Sequence, residues 1–186
     1  LGTDPNQYDT DGDSVSDGEE INDYQTDPLL ADTDNDGISD WIEISNQLNP
    51  NDASDAVNDN DNDGLSNFDE VGFGTGINDS DSDNDGLNDG HEIALATNPL
   101  DYDTDNDSLS DGIEILEYAT NPLLVDTDAD TINDNVEISN GLDPLDSSDA
   151  VADMDGDGLS NQEEIVLGTL VNNPDLLILD EPTAGV

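Results

Sequence analysis

The chain has 186 residues, of which 50 are aspartate or glutamate and none is lysine or arginine, so its formal net charge is -50. Nucleic acid and anionic membranes are excluded as partners, because every charged side chain would repel them. With 32 % apolar and 4 % aromatic residues a large hydrophobic core is out of reach, which leaves a disordered acidic segment or a chain neutralised by bound cations.

The absence of cysteine, with His91 the only histidine, rules out thiolate sites and an imidazole zinc site. Any bound metal is therefore one that prefers oxygen. No apolar run is long enough to span a bilayer, so membrane insertion is not expected.

From the N-terminus the chain is a repeat. Gly2-Thr3-Asp4-Pro5 matches the later Thr26-Asp27-Pro28, Thr97-Asn98-Pro99 and Thr120-Asn121-Pro122, so the sequence starts mid-repeat, as a piece of something longer would. At Asp9 a twelve-residue unit begins, and it recurs from Asp32, Asp59, Asp81, Asp103, Asp126 and Asp153. The spacings are 23, 27, 22, 22, 23 and 27, and residues 9–75 align without a gap onto 103–169, an offset of 94. Part of the array was copied as a block.

Each unit follows the spacing D-x-[DN]-x-[DN]-G-x5-E. Acids at positions 1, 3 and 5 wrap one face of a small cation, the carbonyl at 7 adds an oxygen, position 9 often acts through water, and a bidentate glutamate at 12 closes the shell. The candidate ligands of the first copy are Asp9, Asp11, Asp13, Val15, Asp17 and Glu20, and of the second Asp32, Asp34, Asp36, Ile38, Asp40 and Glu43. The third offers Asp59, Asp61, Asp63, Leu65, Asn67 and Glu70, and the fourth Asp81, Asp83, Asp85, Leu87, Asp89 and Glu92. In the fifth they are Asp103, Asp105, Asp107, Leu109, Asp111 and Glu114, and in the sixth Asp126, Asp128, Asp130, Ile132, Asp134 and Glu137. The seventh supplies Asp153, Asp155, Asp157, Leu159, Asn161 and Glu164. Donor sets made only of oxygen suit calcium, so about seven calcium ions, or more, are expected. Position 6 needs a left-handed backbone, natural to Gly37, Gly64, Gly86 and Gly158 but costly for Ser14, Ser108 and Thr131.

A disordered acidic tail would show no apolar periodicity, yet position 7 is always Val, Ile or Leu and position 13 always Ile or Val. These two pegs predict a small hydrophobic seam between each loop and the next unit. After position 8 a short helix is predicted, with a polar N-cap and acids in its first turn, ended by the Thr-Asx-Pro segment. The longer spacers, Leu48–Val57 and its copy Leu142–Val151, read as turns. The fold expected for residues 1–169 has little regular secondary structure: an elongated linear array of EF-hand-like loops, each followed by a short helix. Residues 170–186 leave the pattern and read as an apolar strand.

Asp-Thr-Asp-Asn-Asp-Gly-Ile-Ser-Asp, with its apolar residue at position 7 and Thr-Asn-Pro-Leu spacers, resembles the thrombospondin type 3 repeat in its bacterial, cysteine-free form. The resemblance covers about residues 1–169. It implies a calcium-filled stalk in a secreted or cell-surface bacterial protein, often beside adhesion domains, and in the animal family more than one calcium per repeat. Asp79 and Asp101, just outside the loops, are candidates for extra ligands. Dockerin modules share the loop and helix but carry their apolar residue at position 8. The tail around Asp180-Glu181-Pro182 is similar to the Walker B segment of ATP-binding cassette ATPases, but a chain without lysine has no phosphate-binding loop to go with it. No catalytic triad or paired-carboxylate cleft is legible, so no enzyme is expected. Two rivals to the stalk are a calcium-dependent binding module, acting through its own face or flanking domains, and a self-associating fibre subunit.

Overall fold

A computed structural model of the chain describes residues 2–4 and 6–173. The expected C-terminal strand and its Walker-like Asp180 and Glu181 lie outside the described residues. Two compact units, Leu1–Tyr102 and Asp103–Val186, divide the chain at the boundary where the 94-residue copy begins. The first holds α1 (Asp17–Glu19), continued by a π turn (Glu20–Tyr24), then α2 (Asp40–Asn46), α3 (Asn67–Phe73) and α4 (Asp89–Leu95). The second holds α5 (Asp111–Ile113), with its π turn Glu114–Tyr118, then α6 (Asp134–Asn140) and α7 (Asn161–Leu167). The architecture is a repeat array of loops and short helices. Among the described residues the only β pairing is an isolated bridge between Gly76 and Asp79.

Each helix starts where the loop ends. Ser16, Ser39, Ser66, Asn88, Ser110 and Ser160 cap their helices by accepting an N–H three residues on, and Glu19 and Glu163 return the bond to complete capping boxes. Each helix is stopped by a left-handed residue, Gln25, Gln47, Gly74, Ala96, Ala119, Gly141 or Gly168. In the first and fifth copies that residue comes one place later than in the others. Both copies absorb the extra residue as a π turn, whose wider ring takes one residue more than an α turn.

The interior is not the hydrophobic seam that the pegs predict. Position 7 is largely buried, as at Val15, Ile38, Leu65, Leu87 and Ile132, but position 13 is at best half-buried, and Ile21 is exposed. The most deeply buried side chains include the glutamates of position 12, each 0 % exposed: Glu20, Glu43, Glu70, Glu92, Glu114, Glu137 and Glu164. What apolar core exists gathers at the long spacers. In the second unit Ile132, Leu142, Ala150 and Val171 cluster, with Val136 and Ile165 packed against them. Val171 and Asn172 take the places that Ile77 and Asn78 hold 94 residues earlier: Ile77 and Val171 are both buried, and the Asn78 and Asn172 amides donate to the Asn46 and Asn140 carbonyls. The repeat geometry thus runs past residue 169, where the sequence pattern fades.

Candidate metal centres

Each loop is shaped by its own acids. The position 1 aspartate accepts two backbone N–H groups, from positions 4 and 6: Asp32 takes Asn35 at 2.7 Å and Gly37 at 3.0 Å, and Asp126 takes Ala129 and Thr131, both at 2.8 Å. The same pair of bonds forms at Asp9, Asp59, Asp103 and Asp153, and the Gly86 bond forms at Asp81. Positions 4 and 6 both bend into the left-handed region to bring these groups inward. Position 6 was expected to do so, and Ser14, Ser108 and Thr131 do have φ of 88°, 83° and 85°. Position 4 was not foreseen, although its usual Gly or Asn, the residues that tolerate this region, signals it.

Position 5 holds position 7 through a short bond, Val15 to Asp13, Leu65 to Asp63 and Leu109 to Asp107 each at 2.7 Å. Ile38, Leu87, Ile132 and Leu159 donate to Asp36, Asp85, Asp130 and Asp157 in the same way. In the first four copies the acids of positions 1, 3 and 5 offer oxygens all within 4.8 Å of one another.

Position 9 is a clasp. Asp40 accepts both the N–H and the hydroxyl of Thr33 at 2.7 Å, and Asp17, Asp89 and Asp134 hold Thr10, Ser82 and Thr127 alike, all within 2.6–2.8 Å. Thr104 makes the same two bonds to Asp111. The hydroxyl of Thr33 or Thr127 also accepts an N–H from the preceding Thr-Asx-Pro segment, so this clasp ties each helix to the loop and to the repeat before it. In the third and seventh copies the residue is asparagine, and the amides of Asn67 and Asn161 donate to the carbonyls of Asp55 and Asp149 at 2.9 and 2.7 Å. Aspartate has no proton to donate there.

The glutamates of position 12 complete the site from the first helical turn. Both carboxylate oxygens of Glu43, Glu70 and Glu137 are buried without a hydrogen-bond partner, as are Asp34 Oδ1 and Oδ2, Asp36 Oδ2, Asp61 Oδ2, Asp128 Oδ2 and Asp130 Oδ2. In the π-turn copies Thr26 and Thr120 take Oε1 of Glu20 and Glu114, leaving Oε2 unpartnered. Burial, then the repulsion of neighbouring aspartates, pushes Glu43, Glu70 and Glu137 up to about 8. Glu114, partly relieved by Thr120, also reaches about 8, and Glu20 about 7. Buried anions gathered without donors or counter-ions are costly unless a cation joins them. The donor set, all oxygen and rich in carboxylate, fits calcium.

Two acids that sequence reasoning missed belong with these sites. Asp55, in the spacer after the second loop, lies with Asp36 and Glu43 in a group whose oxygens are within 4.8 Å of one another. Its counterpart Asp149 is one of the charges that, after burial, push up Asp128, Asp130 and Glu137. Asp79 and Asp101, the extra ligands suggested by the sequence, are exposed.

A family model described as the bacterial TSP3 repeat matches residues 9–31, 32–53, 59–75, 81–101, 103–124 and 153–169. The sixth loop, with Ala129 and Thr131 where other copies favour Gly or Asn, lies outside the matched stretches but makes the same hydrogen bonds. No curated protein and no solved structure matches the chain.

Proposed function

Because the chain belongs to the bacterial TSP3 repeat family, a family of calcium-binding structural repeats, we propose that it is a calcium-rigidified stalk or spacer of a secreted or cell-surface protein, with EF-hand-type coordination in each loop. The observation that carries the proposal is the set of glutamates closing the loops, wholly buried and, at Glu43, Glu70 and Glu137, without any hydrogen-bond partner. A carboxylate stays in such a place when a cation compensates it. Position 9 would then act as the clasp between loop and helix, with the ion held by the acids of positions 1, 3 and 5 and the glutamate at 12. No helix among the described residues is long and apolar enough to cross a membrane. Calcium in the surrounding medium, at millimolar levels outside cells, matches the affinity range of extracellular oxygen-ligand modules.

Circular dichroism of the chain in millimolar calcium and in excess chelator tests this. Calcium should raise the helical signal and chelation should abolish it, because binding energy is folding energy where a site exists only in the folded state. An identical spectrum in both conditions would refute the proposal.

A further inference from the structure

We propose that the second and sixth calcium sites are each completed from outside the twelve-residue loop, by Asp55 and Asp149 of the long spacers, so that ion binding sets the spacer as well as the loop. The inference rests on the calcium assignment above and adds a ligand that the repeat pattern does not contain.

Three observations support it at the second loop. Asp36, Glu43 and Asp55 have oxygens within 4.8 Å of one another. Glu43 is 0 % exposed, and neither of its carboxylate oxygens has a hydrogen-bond partner, nor does Asp55 Oδ1. Asp55 is also aimed: its Oδ2 accepts the Asn49 N–H at 2.8 Å, and its carbonyl accepts the Asn67 amide at 2.9 Å. One carboxylate oxygen is fixed to the spacer while the other faces the buried acids.

The sixth loop repeats the arrangement without being identical in sequence. Asp149 Oδ2 accepts the Asp143 N–H at 2.8 Å, its carbonyl accepts the Asn161 amide at 2.7 Å, and its Oδ1 is buried and unpartnered beside Asp130 and Glu137. Spacer residues differ between the two copies, Asn51-Asp52-Ala53 against Leu145-Asp146-Ser147, yet the aimed aspartate is present in both. Where no long spacer follows, the corresponding place is filled differently. Asp63 and Asp107 receive a backbone N–H from the next repeat, Gly90 at 2.9 Å and Asn135 at 3.2 Å. A donor there satisfies an anion; an acid there adds a ligand.

Calorimetric calcium titrations of the full chain, wild type against Asp55→Asn, Asp149→Asn and the exposed spacer control Asp52→Asn, test the proposal. Asp55→Asn and Asp149→Asn should each loosen one site by about tenfold, since calcium affinity follows ligand charge, and Asp52→Asn should loosen none. Hydrogen exchange on the wild type adds a reading that needs no variant. The amides of Asn49 and Asn58 should gain protection as calcium is added, in step with the loop that precedes them. Unaltered affinities in both variants, or spacer amides equally protected with and without calcium, would overturn the spacer role while leaving calcium binding in place. A wild-type chain that takes up no calcium would overturn both.

Discussion

Single residues divide the loops into those that hold an ion and those that hold the chain. At position 9 aspartate serves where a threonine or serine stands at position 2, and asparagine where a spacer carbonyl needs a donor, as Asn67 does for Asp55. Asn67→Asp and Asn161→Asp therefore should each cost about 1–3 kcal/mol by losing that donor in a buried place, read as a shift in denaturant midpoint with calcium present. A shift of under about 0.5 kcal/mol, the range of ordinary surface changes, would remove the donor from the account. The glutamates make a second prediction. Folded values of about 8 at Glu43, Glu70, Glu114 and Glu137, against an ordinary 4.5, mean that the folded chain without calcium binds more protons than the unfolded one. Whatever structure survives chelation should thus be most stable below pH about 4.5 and should be lost as pH rises towards about 8. Calcium must displace the same protons, so uptake at pH 7 should release protons, seen as a dependence of the binding heat on buffer ionisation enthalpy. A heat independent of buffer would contradict this.

At the scale of one loop and its helix, the twelve-residue pattern named most of the carboxylates that the structure gathers, because ligand spacing is a local property of the chain. What it could not carry were interactions set by residues far apart in sequence. Asp55 stands 12 residues beyond Glu43 and Asp149 12 beyond Glu137, in spacers that share no loop motif, so nothing local marked them as ligands. The π turns were written only as a spacing of 23 in place of 22, since an extra residue can lengthen a linker as easily as widen a helix. Deletion of Asn22 should convert Glu20–Tyr24 to the α-helical path of the 22-residue copies, with the first calcium site kept; loss of that site would make the Thr26–Glu20 bond, which only the wider turn provides, indispensable. Position 6 shows why context matters. Gly37 lies under the ring of Phe68, where an added Cβ would stand 2.5 Å from a ring carbon. In the copy, Thr131 and Gln162 occupy these places and hydrogen-bond to each other. Ser108→Gly should tighten the fifth site by relieving roughly 1 kcal/mol of backbone strain. Thr131→Gly gains the same relief but loses Gln162, so a cycle with Gln162→Phe should be non-additive, and additivity in calcium affinity would show that the two positions do not communicate.

Across the whole molecule the usual distribution of side chains is inverted: carboxylates fill the interior of the repeats, while Tyr8, Val57, Val151 and Val166 are each more than 70 % exposed. Composition made this legible in part, since 50 acids without a single lysine or arginine have no internal counter-charge, but the hydrophobic pegs suggested a seam where position 13 is mostly half-buried. Seven divalent ions would offset two charges each and leave the chain strongly acidic. Because each repeat carries its own ligands, excision of residues 81–102 should leave a chain that still folds with calcium and binds one ion fewer; loss of calcium uptake throughout would mean that the repeats act as a single cooperative body. The block copy also records the order in which the array changed. The π turn of the first copy, the aimed aspartate of the second and the asparagine clasp of the third all recur 94 residues later. These features are older than the duplication that carried them. The pair Gly37 and Phe68 did not survive in the copy, and both of its members differ there, as Thr131 and Gln162. That exchange is the younger event, and since the two side chains touch in each unit, one change set the terms on which the other was retained.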